Sequence, residues 1–396
     1  MALPGRLSDT TQAHLEALID ERAQEGTHLE FKREFPMNWD NGTKLEVLAD
    51  ISAFANAGGG DLVYGIAENE NAQAEAIVPQ QFASAEQEVR RLQDFLMNLV
   101  DPRIPGVQIQ AVEVTVAEAV RYAIVVRVPQ SWVGPHRVNV NQHFFVREGL
   151  RKRQLNVPEI RGLFLRSESQ AQRVRDFRTE RLGSLLAGEV PFRLRGDSAL
   201  VVHLVPVRAV LGAGGFSAAD YVGHGFRRNV PVIASGAAAE TIVNLDGVAG
   251  ARPVNEGLTH GYSVLFRSGF IESTKVLGAT VAGERAPVLP GGTFEDEVAQ
   301  FIEAARVELI HWGVDGPLIV MLSIIGGKGA RLTVPPQYGE SGRFDRDVLA
   351  LPDIELPGER DIRLELKPLF DLVWQSAGIH RSPHYNQQGR WARQQW

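Results

Sequence analysis

The sequence predicts an α/β or α+β protein of two domains, and three observations predict it. Segments with helical apolar spacing alternate with short strand-like runs along the whole chain. At 396 residues the chain is too long for one ordinary core. The texture also changes after about Leu186, where "AGEVPFRLRGDS" reads as a linker before the apolar strand "ALVVHLVPV". The expected organisation is a first domain over 1–186, a second α/β or α+β domain over 187–379, and a flexible basic-aromatic tail over 380–396.

Each element of the first domain has its own signal. Ser8 can cap a helix running to about Arg22, with Leu15, Leu18 and Ile19 as its apolar stripe. "THLEFK" follows as a strand, with Leu29 and Phe31 on one face and His28, Glu30 and Lys32 on the other. "GTKLEVLADISAFANAGGG" is a helix that Gly58, Gly59 and Gly60 stop, and "DLVYGI" is the next strand. "EQEVRRLQDFLMNLV" repeats apolar residues at helical spacing. Strands are expected over 107–116, 120–128 and 143–147, and a long helix from Pro158, a residue tolerated in a first turn. In the second domain the clearest elements are a helix over 294–313 and a buried strand "PLIVMLSII", with a Gly/Ala-rich loop at 212–219.

Composition removes several function classes. With no cysteine, disulfides, zinc ribbons and thiol nucleophiles are excluded. No apolar run reaches the length of a membrane span and the first residues lack a signal-peptide core, so a soluble, cytoplasmic protein with no membrane partner is expected. "NAGGGDLV" has helix, glycine and strand in the reverse order of a phosphate-binding loop, and "GGKGAR" lacks the hydroxyl after Lys328. Neither HExxH nor G-x-S-x-G occurs, and His203 lies in an apolar strand as a core residue. The net charge of −7 argues against a generic polyanion binder but leaves room for a local basic stripe. Residues 1–146 carry eleven Lys+Arg against twenty Asp+Glu, whereas residues 147–181 carry ten against five. That basic segment, "REGLRKRQ" and the arginines of the following helix, reads either as a solvated helix face or as a phosphate-contacting stripe.

The surviving chemistry is carboxylate chemistry. Glu25 precedes the first strand, Glu30 lies on it, and Glu68 follows the strand after the glycines. Clustered carboxylates require a compensating proton or cation, and hard oxygen ligands suit Mg²⁺ or Mn²⁺. Lys32 shares the face of Glu30 and could stabilise charge developing on a phosphate. A half-buried strand with a solvated polar face fits the same pattern.

Three blocks in order, "EGTHLEFK", "LADISAFANAGGGDLVYGIAE" and "HFFVREGLRKRQLNVPEIRGLF", resemble the signature blocks of the Schlafen AlbA-like domain over about residues 10–180. The resemblance implies a mixed sheet with flanking helices and a bacterial protein that acts on nucleic acid. Some family members are metal-dependent endoribonucleases on tRNA and rRNA, others DNA-binding or regulator-like proteins, and several act in antiphage defence. Carried over, the acidic triad falls on Glu25, Glu30 and Glu68, with Glu rather than Asp at the third position. Mg²⁺ or Mn²⁺ would then be the cofactor and Lys32 an assisting group. Arg147, Arg151, Lys152, Arg153 and Arg161 would contact tRNA, another structured RNA, or DNA. A homodimer is expected. The leading expectation is an endoribonuclease; a non-catalytic nucleic-acid-binding regulator, or a ligand-sensing interaction protein, are the alternatives.

Overall fold

In a computed structural model of the chain, the described residues are 3–212, 217, 218, 221, 230–234, 236–252, 255–281, 284–314, 316–335, 342–357 and 361–393. The expected loop at 212–219 therefore lies largely outside them. Helices and mixed sheets give the α+β class that the sequence predicts. The chain divides into two compact units, Met1–Ala171 and Gln172–Trp396.

The first unit contains α1 (Gln12–Asp20), β1 (Leu29–Lys32), α2 (Asn41–Asn56), β2 (Gly60–Tyr64), β3 (Ile66–Glu68) and β4 (Ala74–Ile77). There follow α3 (Ala85–Leu99), β5 (Val100–Asp101), β6 (Gln108–Val116), β7 (Ala119–Val128), β8 (Arg137–Val138), β9 (His143–Glu148) and β10 (Arg151–Gln154). Helix α4 (Val157–Ala187) contains the boundary between the units. One sheet has the order β1-β2-β7-β6, with β1 parallel to β2 and the other pairs antiparallel. A second has the order β10-β9-β8-β5, and β3 and β4 form a separate hairpin.

Alternation along the first sheet sorts its side chains onto two cores. Leu29, Phe31, Val63 and Val125 pack with Leu15 and Leu18 of α1. Leu62, Tyr64, Ile124 and Val126 pack with Leu48, Ile51 and Phe54 of α2. Each fully buried Leu, Ile, Val or Phe contributes roughly 1.5–3 kcal/mol. Helix α2 starts at Asp40, whose carboxylate accepts the Thr43 N–H at 2.8 Å. It is buried throughout from Val47 to Asn56. Ser8 does not cap α1; Thr11 does, in a capping box with His14.

The turn from α2 into β2 leaves no room for a side chain at Gly59. Gly59 has φ +71°, and a Cβ there would meet the Gln130 nitrogen at 2.6 Å and the Val128 oxygen at 2.7 Å. Asn56 closes the turn from the helix side. Its amide donates to the carbonyls of His136 and Phe145 at 3.0 and 2.8 Å, and its oxygen accepts the His136 N–H at 2.7 Å. Asn56 is thereby a brace between α2 and the second sheet.

The second unit is built on an antiparallel sheet whose central strands, Ala199–Pro206 and Leu318–Ile325, are buried along their whole length. His203 is a core residue, as its strand predicts. Its Nε2 lies 3.1 Å from Glu272, which also accepts from Arg181 Nε and Nη2 and from the Tyr262 hydroxyl. Burial opposes the charge on Glu272, but the His203 and Arg181 bonds outweigh it and hold the carboxyl below its usual range. "IRLELK" opens the helix Ile362–Ser376, so its likeness to "THLEFK" has no structural basis.

Two boundaries differ from expectation. The first unit ends near Ala171 rather than 186 because the C-terminal half of α4 packs inside the second unit: Val174, Leu182 and Leu185 are buried, and Arg181 reaches Glu272. The texture change marks the end of that helix, not the end of a core. Nor are residues 380–393 a loose tail. Ser382, His384 and Tyr385 are buried; His384 Nε2 pairs with the Gly291 carbonyl at 2.9 Å, and Ser382 N–H donates to Asp371 at 2.9 Å.

Candidate nucleic-acid interface

Strand β1 presents Glu30 and Lys32 to the side covered by α2, where Glu30 is buried and Lys32 stays partly open to solvent. Glu30 is 7% exposed. One of its oxygens receives Arg147 Nη1 from β9, and the other lies 2.7 Å from Lys32 Nζ. Arg147 is also fully engaged: its Nε donates to the Gly26 carbonyl at 2.9 Å, and its guanidinium stacks over Phe54 at 4.7 Å. With a side chain 2% exposed, Arg147 is turned inward, so it anchors Glu30 instead of meeting a phosphate, which corrects the role expected from the sequence.

A second carboxylate completes the arrangement. Asp50 projects from the buried face of α2, with Oδ1 2.6 Å from Lys152 Nζ on β10 and Oδ2 3.8 Å from Lys32 Nζ. Burial, then the charge of Glu30, pushes its pKa up to about 6, against the pull of Lys152 and Lys32. Lys32 is held above the usual lysine range: burial disfavours its charge, but Asp50 and Glu30 outweigh that. The Tyr64 phenol, on the same face of β2, is raised well above its ordinary range by burial and then by Asp50. Asp50 and Tyr64 were not singled out in the sequence. A signal existed, since Asp50 is the one charged residue in the run "VLADISAFAN".

Glu25 and Glu68 approach from the chain ends. Glu25 precedes β1, and its Oε1 accepts the Phe31 N–H at 2.6 Å. Burial pushes its pKa up to about 7, with the charges of Glu68 and Glu30 adding to the rise and the Phe31 bond and Arg147 opposing it. Glu68 ends β3 and is exposed. The three glutamates are therefore electrostatic neighbours. They do not fit Mg²⁺ or Mn²⁺ as arranged. Both Glu30 oxygens already face cations, one Glu25 oxygen is held by a backbone amide, and among the described residues no three His, Asp or Glu side chains are gathered to hold a metal ion.

The basic segment divides into free and engaged cations. Arg151 and Arg161 are exposed and make no ion pair among the described residues; Lys152 is engaged, by Asp50 and the Glu46 carbonyl, but keeps 29% of its side chain exposed. Arg153, in contrast, bridges Glu148 at 2.5 Å and Glu159 at 2.8 Å, and it locks the β9–β10 hairpin to the start of α4. Glu159 is drawn down to about 2 by Arg153 and by the Asn156 N–H. Farther along the helix, Arg181 is buried on Glu272 and Arg178 donates to the Leu351 carbonyl. The arginines of the helix are thus not alike: some face solvent and others are held inside the protein.

The family described as Schlafen, AlbA_2 matches residues 25–156. No curated protein matches the chain. Among solved structures, the DIP2311 protein from Corynebacterium diphtheriae is 15% identical with a TM-score of 0.25; the match covers 36% of this chain and 26% of that one. The N-terminal domain of an ATP-dependent DNA helicase RecG-related protein from Nitrosomonas europaea is 17% identical with a TM-score of 0.22, covering 31% of this chain and 74% of that one. Among the described residues no helix is long and apolar enough to cross a membrane. The family match supports a function related to nucleic acid. It spans the helix–glycine–strand turn, β1 with Glu30, and β9–β10 with Arg147 and Lys152; the N-terminal unit of this chain is Schlafen-like over residues 25–156.

Proposed function

We propose that the N-terminal unit binds structured RNA such as tRNA through Lys32, Arg151, Lys152 and Arg161, with the buried carboxylates arranging cations rather than a metal. One observation carries this reading. Glu30 and Asp50 are both engaged with side-chain cations, and Lys32 and Lys152 keep about 30% of their side chains exposed above them. Such a layout favours phosphate binding with little base readout. A second copy of the chain would extend the basic surface, and sedimentation at micromolar concentration tests for it.

A metal-dependent endoribonuclease using Glu25, Glu30 and Glu68 is the second reading. The observation that favours it is the raised Glu25 carboxyl beside two other glutamates. The experiment is incubation of the protein with total tRNA and Mn²⁺ or Mg²⁺, with EDTA and Glu30→Gln controls, read on denaturing and native gels, with duplex DNA as competitor. A mobility shift of intact tRNA that EDTA leaves unchanged is expected. Discrete fragments that vanish in both controls would replace the binding reading with the nuclease.

A further inference from the structure

Asp50 is as deeply buried as Arg147, but it faces the two lysines of the interface that solvent reaches. It is 2% exposed, while the two ammonium groups that it faces are on side chains 30% and 29% exposed. A phosphate arriving from solvent can reach Lys32 and Lys152 but not the carboxylate beneath them. The pairing is also asymmetric. Oδ1 holds Lys152 at 2.6 Å, whereas Oδ2 accepts no hydrogen bond among the described residues and lies 3.8 Å from Lys32 Nζ. Lys32 is shared between this oxygen and Glu30.

We infer that Asp50 is a positioning residue that pairs Lys32 with Lys152 from beneath and cancels one of their two charges, so that the pair offers a polyanion one net cation. This rests on the binding reading above for its consequence, though not for the pairing itself. The acid fixes where the two ammonium groups stand and weakens how strongly they attract phosphates of any sequence. It therefore limits non-specific binding. A buried acid under two half-exposed lysines is costly to keep unless the arrangement does something for the surface.

The first measurement needs no nucleic acid. A short acylation pulse on the full-length protein, read by mass spectrometry, compares Lys32 and Lys152 with the exposed Lys328 in wild type and in Asp50→Asn. Labelling of Lys152, and to a lesser degree of Lys32, is expected to rise several-fold. Unchanged labelling would overturn the inference.

The second measurement is the salt dependence of tRNA binding. Each additional cation offered to phosphate steepens the slope of log K against log salt by about 0.9 on a duplex. Asp50→Asn is expected to bind more tightly at low salt with a slope steeper by about that amount, and Asp50→Asn/Lys152→Gln to return to the wild-type slope. A slope that stays flat or falls in Asp50→Asn would overturn the inference. If labelling rises while neither wild type nor variant binds tRNA, the pairing stands and the RNA-binding reading fails. Circular dichroism and a urea midpoint within the wild-type range confirm that the variants are folded; a variant that unfolds is replaced by Asp50→Ser, for which the same labelling and slope are expected.

Discussion

Replacing Arg147 with Met separates an anchoring role from a phosphate-binding one. The guanidinium and the Glu30 carboxylate have side chains 2% and 10% exposed, so the variant leaves a buried carboxylate short of its main partner. Breaking a buried pair from one side costs about 3–5 kcal/mol. Two structural details place this case near the lower end, at about 3 kcal/mol. Lys32 remains 2.7 Å from Glu30, and Gly26, whose carbonyl also loses a donor, is close enough to solvent for water to replace it. Removing the charge as well, in Arg147→Met/Glu30→Gln, should recover most of the loss, to within about 1 kcal/mol of wild type. Hydrogen exchange of β1 and β9 peptides at increasing urea reads the local stability without assuming that two units unfold together. If Arg147→Met leaves exchange unchanged and weakens tRNA binding instead, the guanidinium swings outward to phosphate and the anchoring argument is wrong.

Other expectations follow from the same contacts. Arg151→Glu and Arg161→Glu should weaken tRNA binding uniformly across sequences and flatten its salt slope, as electrophoretic mobility at several salt concentrations will report. Glu68→Gln should lower the pKa of Glu25 from about 7, since the charge of Glu68 helps to raise it; a side-chain carboxyl NMR titration checks this, and no movement would place the two farther apart. In the second unit Glu295 is pushed up to about 8 by burial, against hydrogen bonds from Ser382 and Trp374. A raised acid binds its proton more tightly when folded, so stability falls as pH rises from the unfolded value towards 8, by up to about 1.4 kcal/mol per pH unit. Glu295→Gln should therefore stabilise the second unit at pH 8, with the difference closing by pH 5, as urea unfolding at the two pH values will show.

Much of the frame was legible because it depends on periodicity. The sequence pattern placed Leu29 and Phe31 on one face and Glu30 and Lys32 on the other, and the two cores respect that division. Glycines 58–60 marked the end of α2 for a reason that a sequence can carry, the space and dihedral of a turn. What the pattern could not show was that α2 would cover the polar face. That depends on a tertiary contact between α2 and β9, which brings Arg147 to Glu30 across 117 positions of sequence. For the same reason Asp50 passed unnoticed, since its partner Lys152 lies on another element. The arginines after 147 looked alike as letters. Only the folded chain distinguished Arg151 and Arg161, which pair with no acid among the described residues, from Arg153 and Arg181, which hold acids.

The glycine turn has a consequence for suppressor genetics. At Gly58 the only obstacle to a Cβ is the His28 ring, 2.6 Å from the ideal position, and His28 is an exposed side chain held by one bond to the Gly59 carbonyl. Gly58→Ala should therefore be rescued by shortening His28. Its two neighbours should yield no such second-site revertants. At Gly59 the obstacles are the backbone of residues 128–130, and at Gly60 they include the His28 carbonyl at 2.7 Å, which no change of side chain removes. A selection for restored folding would thus recover partners for one of three adjacent glycines, and the identity of that one reports how the turn is built.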